Sequence, residues 1–271
     1  MRIFASGLRK LARRMVTWVT FGLLVGLLAL ILLAVGATAK SQPTESARAA
    51  SLLLITFPGA YGFVVAFILG LGGLFAVIFG AAIAGSEWTW GTLKSAVARG
   101  ESRSRYILLT FASAAVFMGL GLVAATGIGV LVAILAANVA GVPTTGLNDA
   151  DALRRIPDEL ARGWLAIAES GALGFAIATI ARSQLAGIGA GIGFYFGEQF
   201  AGIFLPDIVK YLPFNAANAV VARSSVGGGS DGGGGIAHPL SPDTALIVVA
   251  AWLIGSLIVA AVVAERAEIS G

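Results

Sequence analysis

The chain has 271 residues, is 58% hydrophobic and only 12% charged, and carries a formal net charge of +4. A soluble domain devotes about a quarter of its residues to charge, so this chain lacks the polar side chains to coat a globule, and lipid must solvate most of its surface. The absence of cysteine excludes a disulfide framework and a thiolate metal site; the lone His238, in a glycine-rich loop, makes no metal centre.

Residues 2–15 carry Arg2, Arg9, Lys10, Arg13 and Arg14, with Phe4, Leu8, Leu11 and Met15 at helical spacing on the other side. This predicts an amphipathic helix lying in the membrane interface. Residues 16–37 form the first predicted span. Ala37–Thr38–Ala39 has the look of a cleavage site, but the apolar run before it exceeds the roughly 7–15 residues of a signal peptide. Residues 49–58 are too short to span and end in a break at Pro58–Gly59. The second span is expected at 60–84, followed by a polar segment at 85–105. The uncharged run 106–148 is read as one long span, 106–136, because Thr126, Gly127 and Gly129 are too little to turn the chain in water. An acidic external loop at 138–160 follows, with Asp149, Asp151, Asp158 and Glu159.

The fourth and fifth spans, 161–181 and 185–205, form a hairpin closed by Arg182–Ser183–Gln184. Residues 206–243 make a long loop whose start, around Pro206 and Tyr211–Phe214, suits a short interfacial or re-entrant helix. Its glycine tract at 227–235 suits a flexible connector. The sixth span is 244–264. Six spans put both termini on one side, together with Arg2, Arg9, Lys10, Arg13, Arg14, Lys94, Arg99, Arg103, Arg105, Arg182 and Arg266. The other side has Lys40, Arg48, Arg154, Arg155, Arg162, Lys210 and Arg223. The excess of Lys and Arg places both termini and 85–105 in the cytoplasm of a multi-pass cell-membrane protein. Basic residues gathered at span ends signal membrane orientation, so nucleic acid is not expected as a partner. The absence of an internal repeat argues against an inverted-repeat carrier.

No enzyme signature is present. Gly80–Glu87 mimics the glycine spacing of a phosphate loop, but it lacks the lysine and follows a membrane span rather than a strand. One histidine and no cysteine allow no nucleophilic triad. The polar segment is more informative. Trp90, Leu93 and Val97 make an apolar stripe at i, i+3 and i+7, while Glu87, Lys94, Glu101, Arg103 and Arg105 stay polar. Such a segment is either a solvated helix with aromatics at the interface or a docking helix for a soluble partner.

A Glu, then Gly-Thr, then Ser-Arg before the next span resembles the cytoplasmic coupling segment of ABC-2-type (type V exporter-like) permeases. Glu87, Gly91, Thr92, Ser102 and Arg103 match that pattern; Gly100 stands where the family has proline, and Thr110 where it has an early lysine. The likeness covers the whole chain in architecture but only about twenty residues in motif. It implies a single all-α permease domain of six transmembrane helices, with an interfacial helix at 1–15 and an extracytoplasmic loop at 206–243. Glu87, Gly91, Thr92, Arg99, Ser102 and Arg103 would then meet cytoplasmic ABC ATPase subunits. The expected partners are those ATPases, a second permease subunit and membrane lipid, with no cofactor in this chain and export of an amphipathic substrate.

Glu169 and Glu198 are the ionisable residues well inside predicted spans, 14 and 15 residues from Ser183 and so at one depth. Intramembrane carboxylates cost about 2.5–3.5 kcal/mol on insertion scales and commonly face a bundle interior or a wet cavity. They either line a substrate pathway or fasten helices by hydrogen bonds. Gly187 and Gly191 share the face of Glu198 and leave room beside it for substrate or water. Gly189, Gly193 and Gly197 form an opposite small-residue ridge, so this helix is expected to be crowded from both sides, as at a subunit interface. Two other functions fit the same features: a scaffold or sensor subunit that moves nothing, and an ion-coupled carrier using Glu169 and Glu198.

Overall fold

A computed structural model describes residues 2–221 and 240–267. These residues are helical and contain no strand. The helices are α1 (Arg2–Ala12), α2 (Met15–Thr38), α3 (Glu45–Leu53), α4 (Gly59–Thr89), α5 (Thr92–Ala98) and α6 (Arg103–Ala140). They continue as α7 (Ala150–Ala181), α8 (Gln184–Phe204), α9 (Pro206–Val209), α10 (Pro213–Val221) and α11 (Pro242–Arg266). The glycine tract at 227–235, Arg223 and His238 lie outside the described residues.

Among the described residues, five helices are long and apolar enough to cross a membrane: α2 with its short 3₁₀ extension, α4, α6, α7 and α11. The chain is therefore an all-α membrane protein by helix length and composition. The predicted fifth span, α8, has 21 residues, about 31 Å of helix at 1.5 Å per residue, but it is outside that set of five.

Local signals account for where the helices begin and end. The 2–15 segment is two pieces, because Arg14 is extended (φ −82°, ψ 131°). The hydroxyl of Thr17 and the indole N–H of Trp18 donate to the Leu11 and Ala12 carbonyls (2.8 Å each), satisfying the open end of α1. α1 packs on α6. α4 runs to Thr89, five residues beyond the predicted span, since nothing before Gly91 breaks it; Gly91 then takes the left-handed conformation (φ 64°) that releases the chain into α5.

α7 starts at Ala150, so the acidic stretch read as an external loop is largely its first turns. Asp149 caps it by accepting the Ala152 N–H (2.8 Å), and Asp151 favours the positive helix start. α11 has the matching start, Ser241 accepting from Thr244 with Pro242 in the first turn.

The centre of the bundle is the α4–α7 contact. A side chain on Gly80 would collide with the Gly171 carbonyl, and one on Gly174 with that of Val77. Small residues let two backbones touch, which is how apolar helices associate where lipid offers no hydrophobic gain. α2 lays Leu24, Leu28, Leu32 and Gly36, every fourth residue, into this core and packs on α6.

Contacts define two ends. At one, Lys10 and Tyr106 meet Glu87, Gln184 adjoins Gly85, and Arg103 meets Glu265. At the other, the Tyr61 hydroxyl donates to the Leu147 carbonyl (2.7 Å), and Lys40 adjoins Gly141. The start of α2 and the end of α11 thus share the first end, where Arg9, Lys10, Arg13, Arg14, Lys94, Arg99, Arg103, Arg105, Arg182 and Arg266 also collect.

Candidate functional site

Glu87 ends the buried run of α4 and is 1% exposed. Its Oε1 accepts from Lys10 Nζ (2.5 Å) and Arg14 Nη2 (3.2 Å). Its Oε2 accepts from the hydroxyls of Thr92 and of Tyr106, the latter at 2.6 Å. Arg14 also donates to Ser86 Oγ (2.6 Å) and stacks on Trp90, 5.0 Å from the ring centroid. Burial pulls the Arg14 guanidinium below its ordinary value, opposed by the charge and hydrogen bond of Glu87. One carboxylate thereby ties α1, the α1–α2 elbow, α4, α5 and α6 together. A cavity of about 50 Å³ beside it is lined by Thr110, Lys10 and Arg14 among others, and the two basic side chains bring positive charge there.

The other predicted coupling residues divide into three groups. Thr92 joins Glu87 directly, and Gly91 makes the turn that allows it. Arg99 and Ser102 are exposed. Arg103 reaches the far end of the chain: its Nη1 donates to the carbonyls of Glu265 (3.1 Å) and Ala267 (2.5 Å), while the Glu265 carboxylate accepts the Ser104 N–H (3.0 Å). A cation on the last carbonyls of α11 and an anion on the first amides of α6 each complement a helix end. The expected stripe is also redistributed. Leu93 and Ala96 are buried under α5, whereas Trp90 precedes α5 and is 63% exposed.

The two carboxylates predicted to lie inside spans have unlike surroundings. Glu198 is met by the start of α10: Oε1 accepts from Asn215 N (2.5 Å) and Nδ2 (2.7 Å), and Oε2 from Phe214 N (3.3 Å). α10 begins at the level of Gly73 and rises toward Gly70 along α4, so it is a short helix that re-enters the bundle with its positive end on Glu198. Glu169 is fully buried. Its Oε2 accepts from Ser170 Oγ (3.2 Å), and its Oε1 has no partner among the described residues. Ser170, Tyr195 and Phe214 all surround Gly73, so both carboxylates sit at nearly one level, as their similar distances from Ser183 predict.

The expected room beside Glu198 is absent, because Gly187 packs on Ala178 and Gly191 on Val77. Among the described residues α8 is crowded on that face alone; nothing approaches the side with Gly189, Gly193 and Gly197. Spacing pointed to neither Lys10, Arg14 and Tyr106 for Glu87 nor Asn215 for Glu198. For Glu198 the available signal was a carboxylate inside an apolar run with no cation at helical distance, which demands a remote donor; Glu87, read as a polar residue, carried no such signal. No group of three or more His, Cys, Asp or Glu suited to a metal occurs among the described residues. Compared with known proteins, the chain matches no family model and no curated protein.

Proposed function

We propose that this chain is the membrane-spanning permease subunit of an ATP-driven exporter of the ABC-2 kind, working with separate cytoplasmic ATPase subunits and a second permease subunit. The observation that carries the reading is α5. It is a seven-residue helix between two long apolar helices, rooted by Leu93 and Ala96, with Lys94, Ser95, Ala98 and Arg99 exposed. Burial on one side and exposure on the other make it a platform for a soluble partner rather than a loose connector.

In this reading the basic end faces the cytoplasm, and α8 supplies a sixth crossing. An ATPase pressing on α5 moves it as a lever. Glu87 passes the motion to α1 and α2, and the Arg103–Glu265 clasp passes it to α11. Substrate moves along faces of the helices so displaced, and an amphipathic or lipid-like molecule suits walls this apolar. Glu87 and Arg103 then act within the chain as positioning residues, and Arg99 with Ser95 forms the contact.

The test is purification of the full chain from its native membrane, with identification of co-purifying proteins. An ABC-type ATPase is expected with the wild type and depleted with the paired substitutions Ser95→Trp and Arg99→Ala. Its absence from the wild type, or equal recovery with the variant, overturns the reading and favours a scaffold or a carrier.

A further inference from the structure

An apolar groove of about 300 Å³ opens between α2, α4 and α6. Its walls include Thr17 and Phe21 of α2, Phe75 and Phe79 of α4, and Phe117 and Gly121 of α6. The two α2 hydroxyls on its surface ask nothing of an occupant: Thr17 donates to Leu11 and Thr20 to Val16. The volume falls at the small end of ligand-sized sites. Along α4 the groove extends from Phe79 to Ile68, about 16 Å at 1.5 Å per residue. That is half of a hydrocarbon core about 30 Å thick, the depth of one leaflet.

Basic residues immediately precede the groove's α2 wall in the chain. Its Trp18 wall donates to the carbonyl of Ala12, immediately before Arg13. Lys10 and Arg14 are turned inward to Glu87. Arg9, in α1, and Arg13, in the turn after it, are exposed. Aromatic and aliphatic walls one leaflet deep, beneath two outward arginines at the same helix elbow, match the two parts of a single molecule.

We propose that this groove is a binding site for an anionic phospholipid of the bilayer, one acyl chain lying between α2, α4 and α6 and the phosphate headgroup on Arg9 and Arg13. The site needs no ATPase and stands or falls apart from the exporter reading. Its lipid seats α1 against the bundle from outside, as Glu87 does from within.

Native mass spectrometry of the full chain in detergent tests the site, with phosphatidylglycerol and phosphatidylcholine added at equal concentration. Each arginine near an anionic surface is worth roughly a fivefold preference. The wild type is expected to retain phosphatidylglycerol at least fivefold better. The Arg9→Gln, Arg13→Gln pair should bring it down to the phosphatidylcholine level. Gly121→Leu, whose first carbon has space in front of Phe21, should reduce retention of both lipids with the thermal midpoint unchanged; Ala124→Leu serves if that variant fails to fold. Equal retention of the two lipids by wild type, an unchanged preference in the arginine variant, or undiminished binding in the filled groove overturns the proposal. So does disulfide cross-linking of Leu120→Cys to a second copy, which would make the groove a subunit contact.

Discussion

Glu87 and Glu198 are both carboxylates taken out of water, and each is made tolerable by donors that arrive from elsewhere in the chain. Removing one member of a buried ion pair leaves the other charge uncompensated, at a cost of about 3–5 kcal/mol. Glu87→Ala is therefore expected to lower stability in detergent by about 3 kcal/mol and to free α1. Arg99→Ala, at an exposed position, should stay within about 0.5 kcal/mol of wild type. Thermal unfolding of the two variants side by side checks this; equal midpoints would show that Glu87 is not an internal tie. At Glu198, Leu strips the acceptor from two backbone amides and the Asn215 side chain, each unmet donor costing about 1–3 kcal/mol. Hydrogen exchange should then rise across 213–221. Glu198→Gln keeps one acceptor oxygen and should show a smaller rise, whereas equal protection in the Leu variant would sink the capping role.

At the scale of elements, the helices whose placement matters most are short. α5 and α10 are far below the roughly 12–15 residues at which isolated helices become marginal in water, so tertiary contacts hold them. α10 was legible as a short interfacial or re-entrant helix in the first part of the 206–243 loop. Which of the two it is was not, since re-entry depends on Glu198 lying opposite in a finished bundle. The clasp between α6 and α11 was similarly hidden: Arg103 and Glu265 are 162 residues apart. Arg103→Ala should raise hydrogen exchange at 263–267 while leaving the global thermal midpoint near that of wild type, because exposed polar contacts contribute little. Unchanged exchange there would show that α11 is held without the clasp.

The described residues have one basic end and one end where the start of α4 meets the α6–α7 connection. Cysteines at Ser95 and Ser183 are expected to label from the cytoplasmic side alone, and those at Ser46 and Asp207 from outside alone. Asp207, just past α8, reports on the sixth crossing: labelling from the cytoplasm would leave five crossings and put α8 back on the basic side. Core packing belongs to this scale too. Gly80→Leu should separate α4 from α7 and abolish a well-folded monomer in detergent, checked by size-exclusion profile and thermal unfolding. A wild-type profile would mean the two backbones are not in contact.

Composition and hydropathy alone determined that this is an all-α membrane protein. They gave the order of its long helices and the concentration of Lys and Arg at their shared end, because uncharged runs and a 3.6-residue period are local properties of the chain. They also marked Glu169 and Glu198 as carboxylates needing an explanation, and Glu87 as a polar residue of the 85–105 segment. Only the tertiary structure decided what answers each one. Lys10 lies 77 positions from Glu87, and Asn215 lies across a turn from Glu198. A lone buried charge states that a partner must exist, but which donor reaches it depends on how helices far apart in sequence pack. The same packing filled the space beside Gly191 with Val77, where spacing alone left it open.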